Sequence, residues 1–339
     1  MPFKTRIKIT FHLLLLMILL AASILHNEVI YLFYQSKGQL KILFQAKAPG
    51  EYLEIYSLNQ TQKQNLELIG EIKKYSEDSL GFKSTSNFSR IYNQDDKPVL
   101  WVISASERFS VTPYYWEFPI VGKVSYKGFF DKEKAIAEKN HLISSGYDVD
   151  LRSVSAWSTL GWFSDPVLSS MLDKPKGQLC NLIFHELFHS TYYAKGSVDF
   201  NENLASFIAH KATLQFLKKD TLNLHDYLNS VADNDSMDKE LMKFSIDLNA
   251  FYLEISNLPE SSKSVLRLKK FIEMGADIRQ IKVSNHQKTE RMANRILESK
   301  NAWFVDFKQY NGLQDSLEII FNKNYSSNIR AMVQSLKDK

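Results

Sequence analysis

The sequence lacks the features that identify several classes of protein. It has one cysteine, Cys180, in 339 residues, so no disulfide can form within the chain. Leu179 and Leu182 flank this cysteine, and nothing nearby in the sequence would activate a thiolate. We therefore interpret Cys180 as a small buried hydrophobe rather than a nucleophile. No internal repeat and no low-complexity tract occurs, which excludes repeat architectures.

A large excess of one charge is also missing. The 42 basic and 38 acidic residues leave a net charge of only +4, and no basic stripe carries interleaved aromatic residues. This pattern is typical of an ordinary solvated surface, and we predict no nucleic-acid partner. With 44% hydrophobic residues the chain has the composition of a globular protein, and its length allows one large or two ordinary domains.

The amino terminus combines charge and hydropathy in an informative order. Three basic residues among the first eight precede an apolar run at 13–25, and the wider stretch 11–33 has roughly the 20 residues that a spanning helix needs. We predict that residues 1–33 form an uncleaved single-pass membrane anchor, with the rest of the chain outside the cytoplasm. The small residues at 21–23 leave an alternative: cleavage there and export to the periplasm.

Hydrophobic periodicity divides the remainder into a mixed first half and a helical second half. Residues 34–76 have helical spacing interrupted at Pro49-Gly50, and 131–145 has it again. Branched and aromatic residues at 98–130 and 147–154 predict short strands, and from Pro166 onward nearly everything is helical. The sequence thus predicts an α+β fold with a small sheet and a helix-dominated C-terminal half, preceded by one apolar helix. We expect one domain at 34–339.

The most specific motif is His185-Glu186-Leu187-Phe188-His189, within a predicted helix at 178–194. Histidines four residues apart project from the same face of a helix, so both can bind one ion. Glu186 lies about 100° around the helix and would reach a water molecule beside that ion rather than the ion itself. The neighbouring residues are apolar, and two buried histidines need partners. We predict a Zn²⁺ site with His185 and His189 as ligands and Glu186 as the catalytic base.

A catalytic zinc site usually has three protein ligands and one open position. Tyr192 and Lys195 stand where the metzincin pattern needs glycine and a third histidine, so that class is excluded. We predict Glu202 as the third ligand, because it opens the next helix, predicted at 201–219, with the small Ala205 one turn on. Asp199 is the rival ligand, and a first-turn carboxylate that only favours the helix is the other interpretation of Glu202.

Several motifs together resemble the bacterial predicted-aminopeptidase family, a group of His-Glu-x-x-His proteins related in motif to the gluzincins. The similarity extends from about residue 34 to 210. The segments that carry it are Tyr34-Gln35-x-x-Gly38-Gln39-Leu40, Trp116-x-Phe118-Pro119-Ile120-Val121-Gly122, Tyr126-x-Gly128-Phe129-Phe130, Ser158-Thr159-Leu160-Gly161-Trp162-Phe163-x-Asp165-Pro166, His185-Glu186-x-x-His189 and Phe200-Asn201-Glu202.

The resemblance implies a zincin-like fold, a peptide substrate and aminopeptidase activity. Relatives of this kind often begin as lipoproteins, but no cysteine precedes Cys180, so an apolar helix would replace the lipid anchor. The Gly-x-Met-Glu-Asn run with which gluzincin aminopeptidases read the substrate's amino group is also missing. Exopeptidase specificity therefore depends on the family resemblance alone.

The expected chemistry is hydrolysis of an amide bond, with Glu186 taking a proton from water and passing it to the leaving amine. A second donor must stabilise the oxyanion, and the sequence offers Tyr126, Tyr192, Tyr193, His210 and Tyr310. Ser206 stands where many gluzincins have an acidic partner for a histidine ligand. The alternative function is a membrane-anchored metal-binding scaffold or a catalytically silent peptidase homologue, in which Asp199 or His210 would complete a closed four-ligand site.

Overall fold

The computed structural model describes residues 26–118, 122–154, 164–311 and 313–338, together with His12. Most of these residues are helical. The helices are α1 (His26–Gln45), α2 (Pro49–Ile55), α3 (Gln60–Asp78), α4 (Lys132–Ser144), α5 (Lys176–His189), α6 (Val198–Phe216), α7 (Thr221–Glu254), α8 (Glu260–Arg279), α9 (His286–Ser299), α10 (Asn301–Asn311), α11 (Gln314–Tyr325) and α12 (Ile329–Lys337). The strands are β1 (Ile91–Tyr92), β2 (Trp101–Glu107), β3 (Trp116–Phe118), β4 (Gly122–Val124), β5 (Tyr126–Phe129), β6 (Tyr147–Ser153) and β7 (Val167–Leu168).

The main sheet has the order β5-β2-β6, with both pairs antiparallel. Residues 102–106 of the central strand β2 are all buried, so both faces of the sheet are covered there. Helices α4 and α10 pack on β2 and β6. Two smaller pairs accompany this sheet: β3 and β4 are antiparallel, and β1 pairs with β7 in parallel.

Helix α1 lies against the edge strand β5 through one of its faces. The Tyr31 hydroxyl donates to the carbonyl of Gly128 at 2.9 Å. A Cβ at Gly38 would lie only 2.3 Å from the ring of Phe130, so this close approach requires glycine. The opposite face of α1 exposes Phe33 and Phe44 to solvent.

The larger hydrophobic core is built around helices α5 and α6. Phe184 and Phe188 of α5 are fully buried, and so are Ile208 and Ala209 of α6. Helices α3 and α12 contribute to the same core, and α3 packs against α5. Burial of each large apolar side chain contributes about 1.5–3 kcal/mol, so this core fixes the relative positions of α5 and α6.

Helices α7 to α10 enclose a second core, in which Leu241, Phe271 and Phe304 are fully buried. Two ion pairs join this helical layer to strand β6. Arg267 of α8 pairs with Asp148, and Arg295 of α9 pairs with the buried Asp150 at 2.6 Å.

The predicted α+β class, with a small sheet and a helix-dominated second half, is confirmed. The motif helix ends at His189, five residues before the predicted end, and the next helix begins at Val198 rather than at 201. The predicted anchor at 1–33 lies largely outside the described residues, which include only His12 and 26–33 of it. Among the described residues, no helix combines the length and hydropathy needed to cross a membrane.

Candidate metal centre

Helix α5 carries the motif in its last turn. The hydrophobic residues that precede it bury the helix, so the two histidines lie on its protected side: His189 is buried and His185 is half-buried. Their ring centroids lie 4.8 Å apart, and their Nε2 atoms lie 3.1 Å apart. The spacing of four residues therefore brings the two rings together as predicted.

A short loop at 190–197 reverses the chain between α5 and α6. Gly196 has a φ of 74°, a left-handed conformation that favours glycine. The side chain of Asn201 closes the loop: its amide accepts from the Ala194 N–H and donates to the Ala194 carbonyl, both at 2.8 Å. Asn201 is buried in the first turns of α6, so this contact fixes the position of the neighbouring residue, Glu202.

The loop brings Glu202 to the two histidines. Its Oε2 lies 3.2 Å from His185 Nε2, and its Oε1 lies 3.5 Å from His189 Nε2. One ligand atom from each of the three residues lies within 4.8 Å of the others, and among the described residues this is the group that could hold a metal ion. Asp199, the rival ligand, is not part of it.

The electrostatics of the group depend on the contact between Glu202 and the rings. Burial acts to raise the pKa of Glu202, but its hydrogen bonds with His185 and His189 lower that pKa to about 2. Burial acts to lower the pKa of His189, but Glu202 and then Glu186 raise it overall. Glu202 is therefore a carboxylate at neutral pH, as a metal ligand must be.

Glu186 is buried beside the group but does not belong to it. Burial raises the pKa of its carboxyl above the usual range, and although the two histidines oppose this shift, Glu202 and Asp165 add to it. A carboxylate with a raised pKa is better suited to accept and return a proton at neutral pH. The electrostatic contribution of the buried Asp165 was not predicted, although its segment is one of those that carry the family resemblance.

The outer nitrogens of the two rings have different surroundings. Ser206 Oγ lies 3.4 Å from His185 Nδ1, so the serine reaches the position expected for a partner of that ring. His189 Nδ1 is buried and has no hydrogen-bond partner within the part of the chain that the structure describes.

Two of the five predicted oxyanion donors interact electrostatically with Glu202. Burial raises the pKa of Tyr126, and the charge of Glu202 contributes to the same shift. Burial, and then the charge of Glu202, also raise the pKa of Tyr193. The ring centroid of Tyr193 lies 6.5 Å from that of His189. Strand β5 thus presents Tyr126 from the sheet, and the loop presents Tyr193 from the helices.

Of the other three candidate oxyanion donors, two have contacts away from the metal group, and the side chain of the third lies outside the described residues. Tyr192 packs against the larger core, because α5 ends at His189 and no longer directs it along the helix face. His210 Nδ1 lies 3.0 Å from the hydroxyl of Tyr227. The side chain of Tyr310 lies outside the described residues.

The fold and the site together define an α+β protein with a partly buried His-His-Glu group on two packed helices and a buried carboxylate, Glu186, beside it. The chain belongs to a family described as "Putative aminopeptidase", whose model matches residues 30–338. This match confirms the predicted family and extends well beyond the segments that carry the resemblance. The comparisons with curated proteins and with solved structures give no significant match.

Proposed function

We propose that this chain is a zinc-dependent peptidase of gluzincin-like type and zincin-like fold. The geometry of the three ligand atoms is the observation that carries the proposal. Zinc binds nitrogen and oxygen ligands at about 2.0–2.2 Å in a tetrahedron, which separates neighbouring ligand atoms by about 3.4 Å. The two Nε2 atoms lie 3.1 Å apart, and Glu202 places Oε2 3.2 Å from His185 Nε2 and Oε1 3.5 Å from His189 Nε2, so each ring faces a different carboxylate oxygen. One ligand atom from each residue lies within 4.8 Å of the others, close enough for one ion. The donor set also fits, since two imidazoles and one carboxylate leave a fourth position for a substrate.

The family supports the substrate class. Its description indicates a peptidase, and specifically an aminopeptidase. When bound, zinc would lower the pKa of a water molecule and polarise a carbonyl group. A buried carboxylate beside the ligands completes the set of groups that hydrolysis of a peptide bond requires.

Glu186 is the group proposed to move the proton. Its carboxylate accepts a proton from the attacking water and then donates it to the nitrogen of the leaving amine. Burial raises its pKa, which suits both steps at neutral pH. Glu202 cannot take up and release a proton in this way at neutral pH, because its pKa is about 2 and its carboxylate stays ionised.

Tyr126 is the proposed donor to the oxyanion. Its phenol lies near Glu202 and belongs to strand β5, which pairs with the central strand of the sheet. A donor held on a rigid element needs little reorganisation as negative charge develops. Tyr193 also faces the group, but it lies on the loop and is more than one-third exposed.

A metal-binding scaffold or a silent homologue is the weaker alternative. A structural site would normally be closed by four protein ligands. Asp199 and His210, the predicted fourth ligands, do not belong to the group that the described residues form. A buried carboxylate such as Glu186 would also have no use in a purely structural site.

We also propose that residues 1–33 hold the protein at a bacterial membrane, with the catalytic part outside the cytoplasm. The basic start and the apolar run at 13–25 support this location. Helix α1 follows that run directly, and its outer face exposes Phe33, Leu40 and Phe44. Fractionation of tagged protein with and without residues 1–33 is the test, and full-length protein in the cytosolic fraction would contradict the proposal.

The metal is tested by elemental analysis of gently purified protein. We expect about one zinc per chain, and uptake to that level if zinc is added to depleted protein. A substoichiometric content with no uptake would leave the histidines as ordinary core residues. Hydrolysis of a peptide library by the zinc-loaded protein tests the activity itself.

A further inference from the structure

A cavity of about 610 Å³ lies beside the first turn of α6, the helix that carries Glu202. Two of its lining residues are close in sequence to residues of the site: Ser125 precedes Tyr126, and Asp199 lies one helical turn before Glu202. The rest of the lining is largely apolar. It includes Val111, Pro113, Val124, Phe200, Val305 and Leu313.

The carboxylate of Asp199 is the acidic group of this cavity. In the described part of the chain, no side chain forms a hydrogen bond or an ion pair with it. Lys123 lines the same cavity, but it pairs with Glu117 at 2.9 Å. Asp199 is an exposed residue, and partial desolvation of its carboxyl, followed by the charge of Glu202, raises its pKa. A positive group that entered the cavity would therefore find a carboxylate available to pair with it.

We propose that Asp199 binds the free α-ammonium group of the substrate's first residue, with that residue's side chain against the apolar wall. The inference rests on the proposed peptidase function and names its substrate class: peptides with a free amino terminus and an apolar first residue. An acetylated or internal residue offers an amide in place of the ammonium group and leaves Asp199 unpaired.

The spacing along α6 supports this assignment. Residues three apart on a helix have Cβ atoms about 5–6 Å apart, so Asp199 and Glu202 lie side by side on one face. In a peptide, the α-nitrogen is two bonds from the first carbonyl carbon. An ammonium group at Asp199 therefore places the first peptide bond beside Glu202 and the histidines, which is the position that removal of one residue requires.

A simpler role for Asp199 is that of an acidic residue in the first turn of α6, where it interacts favourably with the helix dipole. That role predicts a loss of stability in Asp199→Asn but no change in substrate preference. The ratio of two hydrolysis rates separates the two roles, because a loss of stability affects both rates alike.

The experiment compares leucyl-p-nitroanilide with acetyl-leucyl-p-nitroanilide on the full-length zinc-loaded protein. We expect the parent to prefer the free amine, and we expect Asp199→Asn to lose about 10- to 100-fold in kcat/KM on it, the loss typical of a charge-assisted hydrogen bond. The low rate on the acetylated substrate should not change. Asp226→Asn is the matched control, since Asp226 is an exposed aspartate on the remote helix α7. An unchanged ratio in Asp199→Asn, or a parent that prefers the acetylated substrate, would overturn the proposal.

A binding measurement separates this inference from the peptidase function itself. Zinc-loaded Glu186→Gln protein, with and without Asp199→Asn, is titrated with leucine hydroxamate and with acetyl-leucine hydroxamate in a calorimeter. We expect leucine hydroxamate to bind about 10- to 100-fold more weakly when Asp199 is changed, and acetyl-leucine hydroxamate to bind both proteins equally. If leucine hydroxamate binds equally well with and without Asp199→Asn, the amine site is contradicted and the peptidase function is not. If binding of leucine hydroxamate depends on Asp199 but the parent hydrolyses neither anilide substrate, the peptidase function is contradicted and the amine site is not.

Discussion

The side chain of Asn201 holds both backbone groups of Ala194, accepting from its N–H and donating to its carbonyl at 2.8 Å each. This pair of hydrogen bonds closes the loop between the two helices that carry the predicted ligands. Asn203, on the other side of Glu202, accepts from the backbone N–H of Leu313 at 2.9 Å. The residues on both sides of Glu202 thus fix the first turns of α6, and the glutamate between them has little freedom to move.

The first prediction follows from the contact between Asn201 and Ala194. Asn201→Ala removes two partly buried hydrogen bonds and leaves the Ala194 carbonyl with only its contact from the Ser197 N–H at 3.3 Å, which should reduce the free energy of unfolding by about 1–3 kcal/mol. The loosened loop should also weaken zinc binding by about 10- to 100-fold, as changes to groups that orient a metal ligand commonly do. Thermal unfolding and competition with a chelator measure the two effects.

The matched control is Asn229→Ala, at an exposed asparagine on helix α7 whose amide, among the described residues, forms a hydrogen bond with His225. It should change neither quantity. If Asn201→Ala lowers stability but leaves the affinity for zinc intact, the contact supports the fold and does not position Glu202.

The second prediction concerns Tyr126 and Tyr193. Tyr126→Phe removes only the hydroxyl and should lower kcat by about 10²–10³, the loss that follows removal of one oxyanion donor. Zinc content should stay the same, since neither tyrosine is a proposed ligand. Tyr193→Phe should lower kcat less than tenfold. Steady-state kinetics on a peptide substrate decide between the two, and a reversed order of effects would assign the role to Tyr193.

The sequence could predict the parts of this site that depend on local spacing. His185 and His189 meet because residues four apart share a helix face, and that rule needs no tertiary structure. Glu202 could be predicted from its motif, but its distance from the rings depends on the loop at 190–197. The early end of α5 is a tertiary effect: the chain must turn there so that α6 can pack back onto the same core.

The sequence alone could not single out Tyr126 as the oxyanion donor. It precedes the motif by more than fifty residues, and only the pairing of β5 with β2 brings it to the helices. From the sequence alone, five residues are equal candidates for the same role. The ion pairs of Asp148 and Asp150 with α8 and α9 were not predicted for the same reason, because each joins residues more than one hundred positions apart.

The third prediction concerns the pH dependence of stability and the buried Asp150. Burial acts to raise the pKa of this carboxyl, but hydrogen bonds and charge from Arg295, with a hydrogen bond from Ser299, lower it overall. A lowered pKa in the folded state stabilises the protein above the unfolded value of about 3.9, and this contribution is lost as pH falls below it. The free energy of unfolding should therefore fall with acid more steeply in the parent than in Asp150→Asn.

The size of this effect follows from the burial of the pair. Breaking a buried ion pair costs about 3–5 kcal/mol, and the lower end applies here because the side chain of Arg295 is 36% exposed. Urea unfolding at pH 7 and at pH 3 measures the difference. Lys74→Met, which breaks an exposed pair with Asp78, is the control and should have almost no effect. Identical pH profiles for the parent and Asp150→Asn would contradict the assigned role.

The last prediction separates Glu186 from Glu202, which are assigned opposite roles. Glu186→Gln keeps shape and polarity but cannot accept a proton, so zinc should stay while kcat falls by at least about 10²–10⁴. Glu202→Ala removes a ligand atom and should reduce zinc affinity and activity together. Asp199→Ala, three residues earlier on the same helix, is its matched control for the metal and should keep zinc, because Asp199 is outside the ligand group. Zinc content separates Glu202→Ala from the other two variants, and the larger loss of peptide hydrolysis separates Glu186→Gln from Asp199→Ala. Loss of zinc from Asp199→Ala but not from Glu202→Ala would mean that the third ligand is wrong, and parental hydrolysis by Glu186→Gln would refute the peptidase mechanism.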